Sequence, residues 1–278
     1  MDQDEAVVAA ALHDRGVAVD EVEWHDAAAD WGAYEAVVIR STWDYTEDVE
    51  AFVAWAQRVE AAGTQLHNSA EVVRWNTHKG YLMELEERGA PIVPTAWLGQ
   101  GDEVDLAELA RSRGWDGVVA KPAVGAGAEG LLVVPPGTDP AEHQAAFDAL
   151  VAAGDAMVQP FVRSIRTAGE LSVIVVDGTV THAVRKRPSA GEIRTQVEFG
   201  AAYTAEEADA DAVGLAEWLV EATGHDLLYA RVDLLADDDG TWMLGELEAV
   251  EPALYFAWAD GSQERFADAL LRRITTTT

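Results

Sequence analysis

The stretch Val118-Val-Ala-Lys-Pro-Ala-Val-Gly-Ala-Gly-Ala-Glu-Gly130 decides the fold of this 278-residue chain. It predicts an apolar strand that ends in a lysine, a loop with three glycines, and a second apolar strand over residues 131–134. Glycines let a backbone point successive N–H groups at an anion, and an adjacent lysine can meet a phosphate as a point charge. The alternative is an ordinary hairpin with a glycine-rich tip. Because Lys121 precedes the glycines and a strand follows them, the nucleotide-binding loops that open a helix are excluded.

The composition is acidic and lacks cysteine. Fifty acidic and 19 basic residues give a net charge of −31, which makes nucleic acid and anionic membranes poor partners. No apolar run reaches the roughly 18 residues of a membrane span. The acidic start, Met-Asp-Gln-Asp-Glu, lacks the basic charge of a signal peptide. We therefore expect a cytoplasmic protein without disulfides, thiolate metal sites or a cysteine nucleophile, and a halophilic source is a hypothesis.

Lysine is rare in this chain. Lys79, Lys121 and Lys186 are the only three, whereas the other 16 basic residues are arginines. A chain that avoids lysine almost everywhere is expected to keep it where a compact ammonium group is needed. The alternative is that the three lysines are random survivors.

Residues 1–70 alternate helix and strand patterns, as is typical of a small parallel αβ domain. The patterns predict helices over residues 1–15 and 49–62, and strands over 17–24, 36–40 and around Leu66. Such domains usually begin with a strand. Either the first strand is missing or the sheet is one strand short.

The segment Arg40-Ser-Thr-Trp-Asp-Tyr45 directly follows a predicted strand. The crevice beyond the carboxyl ends of parallel strands is a usual ligand site. Arg40, Ser41, Asp44 and Tyr45 are therefore candidates for binding a small polar substrate. The alternative is a solvated loop with Trp43 packed beneath it.

Lys79 follows a helix-start pattern in which Asn76 or Thr77 would cap a helix that runs through Glu87. A cation in the first turn opposes the helix dipole, so this placement favours an anionic partner over a solvated surface lysine. Further along, the sequence predicts strands over 92–98 and 156–161 and helices over 105–113 and 140–153.

The first of two predicted hairpins spans residues 170–186 and turns at Asp177-Gly178. Its two-residue turn predicts that Glu170 faces Arg185. Lys186 then falls on a mostly apolar face with His182, which is costly for a cation unless it meets an anion. For His182 itself, a satisfied core position is favoured over a catalytic role.

The second hairpin spans residues 227–248 and turns at Asp239-Gly240. Its register places Asp233 opposite Glu246 and Arg231 opposite Glu248, with all four side chains on one face. Opposed carboxylates repel unless a hard cation lies among them, and oxygen ligands suit magnesium. The alternative is a solvent-facing acidic sheet. Three apolar residues expected on the same face argue against full exposure: Leu235, Trp242 and Leu244.

Taken together, these ordered motifs resemble the ATP-grasp superfamily over roughly residues 70–275. The resemblance implies an α/β (α+β) fold, with a small parallel αβ domain at 1–70 followed by two ATP-grasp lobes with antiparallel sheets at 71–160 and 161–278. The family usually ends in Glu-x-Asn, whereas this chain has Glu248 at the last position.

The resemblance also implies roles. The ATP phosphates would be held by Lys79 and Lys121 beneath the loop of Gly125 and Gly127. The adenine would meet the hinge of Gln159, Phe161 and Val162, and the ribose would meet Glu170. Mg²⁺, or Mn²⁺ in its place, would be held by Asp233, Glu246 and Glu248, and charge on the transferring phosphoryl would be stabilised by Arg231, Lys186 and Arg194.

The implied chemistry is ligation of a small carboxylate and an amine through an acyl-phosphate, by a monomer or homodimer. The alternatives are an ATP-grasp phosphotransferase and a non-catalytic nucleotide-binding protein. Three blocks, Arg40-Ser-Thr-Trp-Asp-Tyr45, Arg74-Trp-Asn-Thr-His-Lys79 and Glu248-Ala-Val-Glu-Pro252, are similar to a bacterial and archaeal branch that includes the cyclising ligase of D-cycloserine biosynthesis. They add Glu251 to the candidate substrate residues and imply an amino-acid-like substrate.

Overall fold

The computed structural model describes residues 3–276 and contains three β-sheets, each formed by one part of the chain. The helices are α1 Gln3–His13, α2 Val49–Ala61, α3 Ala70–Asn76, α4 Tyr81–Glu87, α5 Leu106–Arg113, α6 Gln144–Ala153, α7 Ala210–Ala222 and α8 Ser262–Thr276. The strands are β1 Ala36–Val38, β2 Gln65–His67, β3 Ala96–Leu98, β4 Val118–Pro122, β5 Leu132–Val134, β6 Ala156–Pro160, β7 Glu170–Val176, β8 Thr179–Arg187, β9 Ala202–Glu206, β10 Tyr229–Ala236 and β11 Trp242–Glu248. Within the described residues, no helix is both long and apolar enough to cross a membrane. The first two residues of the predicted N-terminal helix lie outside that range.

The first sheet is the parallel pair β1–β2, which confirms the parallel N-terminal unit. The strand predicted over residues 17–24 is wrong, because the chain there is irregular. Its apolar side chains pack as a loop instead of pairing: the Trp24 ring meets Phe52 of α2 edge-on at 5.2 Å. Trp24 thus covers a helix, whereas Val17 packs against the cluster of α1 and α8.

The second sheet is antiparallel, in the order β3-β6-β4-β5. Its apolar face buries Val118, Ala120 and Val158 against Leu106 of α5 and Phe147 of α6. This packing explains why the opening stretch reads as two short apolar strands joined by a small-residue loop.

The third sheet is antiparallel, in the order β11-β10-β7-β8-β9, and it is buried on both faces. One face packs Val173 and Val232 against Leu219 of α7. The other packs Ile174 against α1 and α8, where Phe266 is fully buried. A strand buried on both sides reads as a continuous apolar run, as β7 does from Val173 to Val176.

A bulge changes the register of the first hairpin. Thr181 is the extra residue, and its hydroxyl donates to the Ile174 carbonyl at 3.2 Å. Beyond this point Glu170 lies opposite Lys186, so the prediction that it faces Arg185 is wrong. A single inserted residue moves every later partner by one position.

The register of the second hairpin is confirmed where it matters for the site. Asp233 lies opposite Glu246, and Arg231 lies opposite Glu248. This cross-strand pairing brings three carboxylates and one guanidinium to one end of the sheet.

That register results from two offsets that cancel. The turn is one residue longer than predicted, since the Asp237 N–H donates to the Thr241 carbonyl, and a bulge that includes Gly245 restores the pairing. Between the turn and the bulge, each side chain of β11 lies on the opposite face of the sheet from the one predicted. Leu244 and Trp242 therefore belong to the buried cluster on the opposite face, and their predicted position beside the carboxylates is wrong.

Buried amides join the N-terminal part to the third sheet. The Asn68 amide donates to the carbonyls of Tyr229 and Ala249 at 2.9 and 2.7 Å and accepts from the Leu228 N–H. The Asn76 side chain likewise bridges β11, donating to the Leu247 carbonyl at 2.9 Å. These contacts fix the position of the first sheet relative to β10 and β11.

The helix start predicted at Asn76 or Thr77 is wrong. Asn76 ends α3, and α4 begins at Tyr81. Lys79 therefore lies in the loop between the two helices, where its N–H donates to the Ala123 carbonyl at 2.7 Å. The helix-dipole argument for an anionic partner does not apply, although the lysine has one.

Candidate active site

A cavity of about 1020 Å³ lies where the three sheets meet. Segments that are far apart in sequence line it, and its charged lining includes Lys79, Lys121, Glu170, Lys186, Arg194, Arg231, Glu246, Glu248 and Glu251. All three lysines of the chain reach this one cavity. The idea that they are random survivors does not explain this convergence.

Glu246 joins two of the lysines. Its carboxylate lies 2.7 Å from the Lys79 ammonium and 3.6 Å from that of Lys121. Burial opposes ionisation of Glu246, but the two lysines lower its pKa to about 2. Lys79 also donates to the Gly125 carbonyl at 2.8 Å and so holds the glycine loop beside this pair.

The third lysine lies between two carboxylates. Lys186 forms a salt bridge with Glu170 and lies 3.4 Å from Asp233, and it is 4% exposed. Asp233 also accepts from Arg231 at 3.0 Å and from the Ser172 hydroxyl. Burial alone would raise the pKa of Asp233, but Arg231 and Lys186 lower it to about 2. The anion that the sequence argument required for Lys186 is present.

Two further carboxyls on the cavity wall bind their protons more tightly than usual. Burial, together with Asp233 and Glu246, raises the pKa of Glu248 to about 7, although Arg231 is its salt-bridge partner. Burial and the neighbouring Glu248 raise the pKa of Glu251 to about 8. The wall therefore holds more acidic groups than its cations neutralise.

We expect the free energy of unfolding to fall by up to a few kcal/mol between pH 5 and pH 8, because Glu251 and Glu248 are protonated in the folded protein over much of a range in which the unfolded chain ionises them. Their raised pKa values favour folding at the lower pH, and the advantage is lost as pH rises toward 8. The low pKa values of Asp233 and Glu246 act only below this window. Urea unfolding at four pH values measures the effect.

Glu251→Gln is expected to flatten this pH dependence, whereas Glu87→Gln, an exposed change at the end of α4, should follow the wild type. Parallel wild-type and Glu251→Gln curves would contradict the prediction.

The chemistry of the carboxylates fits a hard cation, since Asp233, Glu246 and Glu248 supply only oxygen donors and repel each other. Within residues 3–276, however, no three acidic or histidine side chains are arranged around a metal position. Each carboxylate is turned to a basic partner instead. Ion binding would replace these salt bridges.

The predicted adenine hinge is not part of the cavity wall. Gln159, Phe161 and Val162 do not line the cavity. The Gln159 amide donates to the Thr95 hydroxyl at 3.0 Å, and the Phe161 ring lies 4.7 Å beneath the guanidinium of Arg166. Their role stays a prediction.

The substrate segment after β1 is divided between two surfaces. Ser41 and Tyr45 line the cavity, whereas Asp44 accepts from the Trp24 indole at 3.1 Å, and neither Asp44 nor Arg40 lines the cavity. Trp43 is 48% exposed at the cavity mouth, so the alternative that buried it beneath the loop is wrong.

Arg194 lines the cavity but contacts its own loop. It pairs with Glu192, and its guanidinium lies 3.7 Å from the Phe199 ring centroid. The nearby Thr195 hydroxyl lies 3.5 Å from Glu170. The basic loop thus reaches the site beside Lys186.

Sequence reasoning missed an aromatic wall and an acid from the N-terminal helix. Tyr255, Tyr203 and Trp258 line the cavity next to Arg231, and so does Asp4. Only the aromatic-rich run around Tyr255 gave any hint of this wall in the sequence. Nothing in the sequence connects Asp4 with a segment about 250 residues away.

The fold and the site define a protein of the ATP-grasp class. Residues 92–238 match the family described as prokaryotic glutathione synthetase, ATP-grasp domain, and residues 1–68 match the D-cycloserine synthetase DcsG N-terminal domain. The cycloserine biosynthesis protein DcsG of Streptomyces lavendulae is 31% identical over 274 residues, which cover 93% of this chain and 90% of the relative.

Solved structures agree with this assignment. The crystal structure of D-cycloserine synthetase DcsG has a TM-score of 0.87 at 28% identity, covering 98% of this chain and 94% of the other. D-alanine–D-alanine ligase from Bacillus anthracis shares the fold, with a TM-score of 0.71 at 14% identity over 99% and 93% of the chains. The chain belongs to the ATP-grasp family and is an ADP-forming ligase that makes C–N bonds.

Proposed function

We propose that this ligase activates the carboxylate of a small amino-acid-like substrate as an acyl-phosphate, with magnesium and ATP, and then joins it to an amine. One observation carries the proposal: Glu246 lies within salt-bridge reach of both Lys79 and Lys121 on one cavity wall. Groups suited to a metal and groups suited to phosphates thus converge from three separate segments.

The cations would position the triphosphate and stabilise its charge. Lys79 and Lys121 would bind phosphate oxygens beneath the loop of Gly125 and Gly127. Arg231 and Lys186, with Arg194, would face the transferring phosphoryl, and Glu170 would bind the ribose. Phosphoryl transfer depends mainly on such positioning and charge neutralisation.

Asp233, Glu246 and Glu248 would hold the magnesium ion, which would neutralise charge on the ATP phosphates. Support comes from their all-oxygen donor chemistry and from a related fold: the ATP-grasp ligase PsnB, 20% identical, has been solved with Mg and ADP.

In the first step a substrate carboxylate oxygen attacks the γ-phosphorus, and the bond to the bridging oxygen breaks to release ADP. In the second the amine nitrogen attacks the acyl carbon, inorganic phosphate leaves, and the nitrogen loses its proton to water or to the phosphate. Ser41, Tyr45 and Glu251 would contact the substrate from the cavity wall. A cavity of about 1020 Å³ is large enough for a nucleotide and a small substrate.

The domain limits 1–70, 71–160 and 161–278 belong to this proposal. Each sheet falls within one range: the parallel pair in the first, β3–β6 in the second and β7–β11 in the third. Helices cross these limits in packing, since α1 contacts α8 and α4 packs on the third sheet.

Hydroxylamine trapping tests the acyl-phosphate. The protein is incubated with MgATP, hydroxylamine and single amino acids or their derivatives, and ADP and hydroxamate are both measured. We expect one acid to give equal amounts of the two, and Glu246→Gln to give neither. ADP with a stable phosphorylated product and no hydroxamate would identify a phosphotransferase. Absence of MgATP binding by folded wild-type protein would contradict any nucleotide-dependent function.

A further inference from the structure

Residues 253–256 lie between β11 and the end of a 3-10 helix at Phe256–Trp258, and side chains make most of the hydrogen bonds to their backbone. The carbonyls of Tyr255 and Phe256 also accept from the N–H groups of Trp258 and Ala259. The segment carries Ala253 and Tyr255 to the cavity wall. A loop without its own ladder of hydrogen bonds needs partners for each buried polar group. Here most of those partners come from distant parts of the chain.

Asp4 of α1 accepts hydrogen bonds from the N–H groups of this segment. Its Oδ2 accepts from the N–H groups of Leu254 and Tyr255 at 2.8 and 2.7 Å, and its Oδ1 accepts from that of Phe256 at 2.9 Å. The side chain is 6% exposed. One buried carboxylate thus binds three consecutive amides, and hydrogen bonds to an ionised acceptor are the stronger kind.

Other side chains fix the carbonyls of the same residues. His182 Nε2 lies 2.8 Å from the Leu254 carbonyl and must donate to it, while Arg231 donates to the Ala253 carbonyl at 3.3 Å. The Ser262 hydroxyl lies 2.7 Å from the Ala259 carbonyl and 3.1 Å from that of Phe256. His182 is therefore a satisfied structural histidine, as the sequence favoured.

Tyr255 is held in a conformation that a non-glycine residue rarely adopts. Its φ is +54°, in the left-handed region. Its ring centroid lies 6.0 Å from the Lys186 ammonium and 5.6 Å from the Arg231 guanidinium, and the Tyr203 ring meets it edge-on at 5.5 Å. The ring therefore lies beside both cations, which line the same cavity.

We infer that Asp4 is a positioning residue of the phosphoryl-transfer site, whose carboxylate fixes Tyr255 against Lys186 and Arg231. The inference rests on the proposed function, because it assigns those two cations to the transferring phosphoryl. Asp4 itself touches neither cation; it acts through the three amides and the ring they carry. A residue near the start of the chain thereby shapes the wall on which the reaction would take place.

The test compares Asp4→Asn, Tyr255→Ala and the double variant with Asp14→Asn, which makes the same chemical change at an exposed position just after α1. Calorimetry measures the affinity for MgADP alone and for MgADP with aluminium fluoride, an analogue of the transferring phosphoryl. We expect Asp4→Asn to lower the enhancement by aluminium fluoride at least about tenfold while the affinity for MgADP changes less than about twofold. Asp14→Asn should match the wild type.

The double variant separates positioning from general support of the fold. If Asp4 acts through Tyr255, the double variant loses no more enhancement than Tyr255→Ala alone. Additive losses, or full enhancement in either single variant, would overturn the inference and leave the proposed function standing. A wild type without MgADP binding would overturn both, and one without enhancement would overturn the inference. Should Asp4→Asn fail to fold, Tyr255→Ala still decides the role of the ring.

Discussion

Glu246→Gln is expected to uncouple nucleotide binding from magnesium. In the wild type the Glu246 carboxylate occupies Lys79 and Lys121, the two cations proposed to bind phosphate. A nucleotide without metal must compete with that carboxylate, whereas a metal ion bound to Glu246 would release both lysines. The neutral amide removes both the competitor and the metal ligand. We therefore expect metal-free ATP to bind about tenfold more tightly, magnesium to have little effect, and ligation to fall at least about a hundredfold.

Calorimetry of ATP with and without magnesium, on wild type, Glu246→Gln and the exposed control Glu87→Gln, measures this. The wild type and the control should bind ATP tightly only with magnesium. If Glu246→Gln loses affinity for metal-free ATP as well, Glu246 does not compete for the lysines, and the proposed arrangement of the phosphate site is wrong.

Lys186→Met is expected to cost the largest share of stability of any single change in the site. The ammonium is buried, forms a salt bridge with Glu170 and lies 3.4 Å from Asp233. Methionine preserves the volume but leaves the Glu170 carboxylate buried without its cation. Breaking a buried ion pair in this way costs roughly 3–5 kcal/mol. Urea unfolding near neutral pH measures the loss.

Two comparisons sharpen this experiment. Arg187→Met removes an adjacent cation whose side chain is 48% exposed, so we expect it to cost no more than about 1 kcal/mol. The double variant Lys186→Met with Glu170→Gln removes both charges and should recover part of the lost stability. Equal losses for Lys186→Met and Arg187→Met would show that the buried lysine is not held by its carboxylates.

The candidate site was predictable from the sequence where side-chain chemistry and strand topology constrain each other. The facing pairs Asp233–Glu246 and Arg231–Glu248 were predicted correctly, but through a turn that is one residue longer and a bulge that compensates for it. The alternation of side chains along a strand is robust, whereas the position of a bulge depends on tertiary packing. The same uncertainty gave Glu170 the wrong partner in the first hairpin.

Long-range contacts were beyond a single sequence. No local pattern links Asp4 to residues 254–256, and the hydrogen bonds of Asn68 and Asn76 cannot be inferred from helix-capping rules. The strand predicted over residues 17–24 failed for the same reason, because Trp24 packs on α2 and Val17 packs with α1 and α8 rather than with a neighbouring strand. The propensity of a segment predicts its own secondary structure, whereas tertiary packing determines which element it contacts.

Separating the N-terminal sheet from β10 and β11 would leave the Asn68 amide without its partners and would remove the Ile39 carbonyl, which lies 2.8 Å from the Tyr229 hydroxyl. Leaving such groups unpaired in the interior is costly. Buried hydrogen bonds therefore hold the N-terminal sheet at a fixed distance from β10 and β11. The spacing between Ser41 and Tyr45 on one side of the cavity and the strand carboxylates on the other is set by the fold itself.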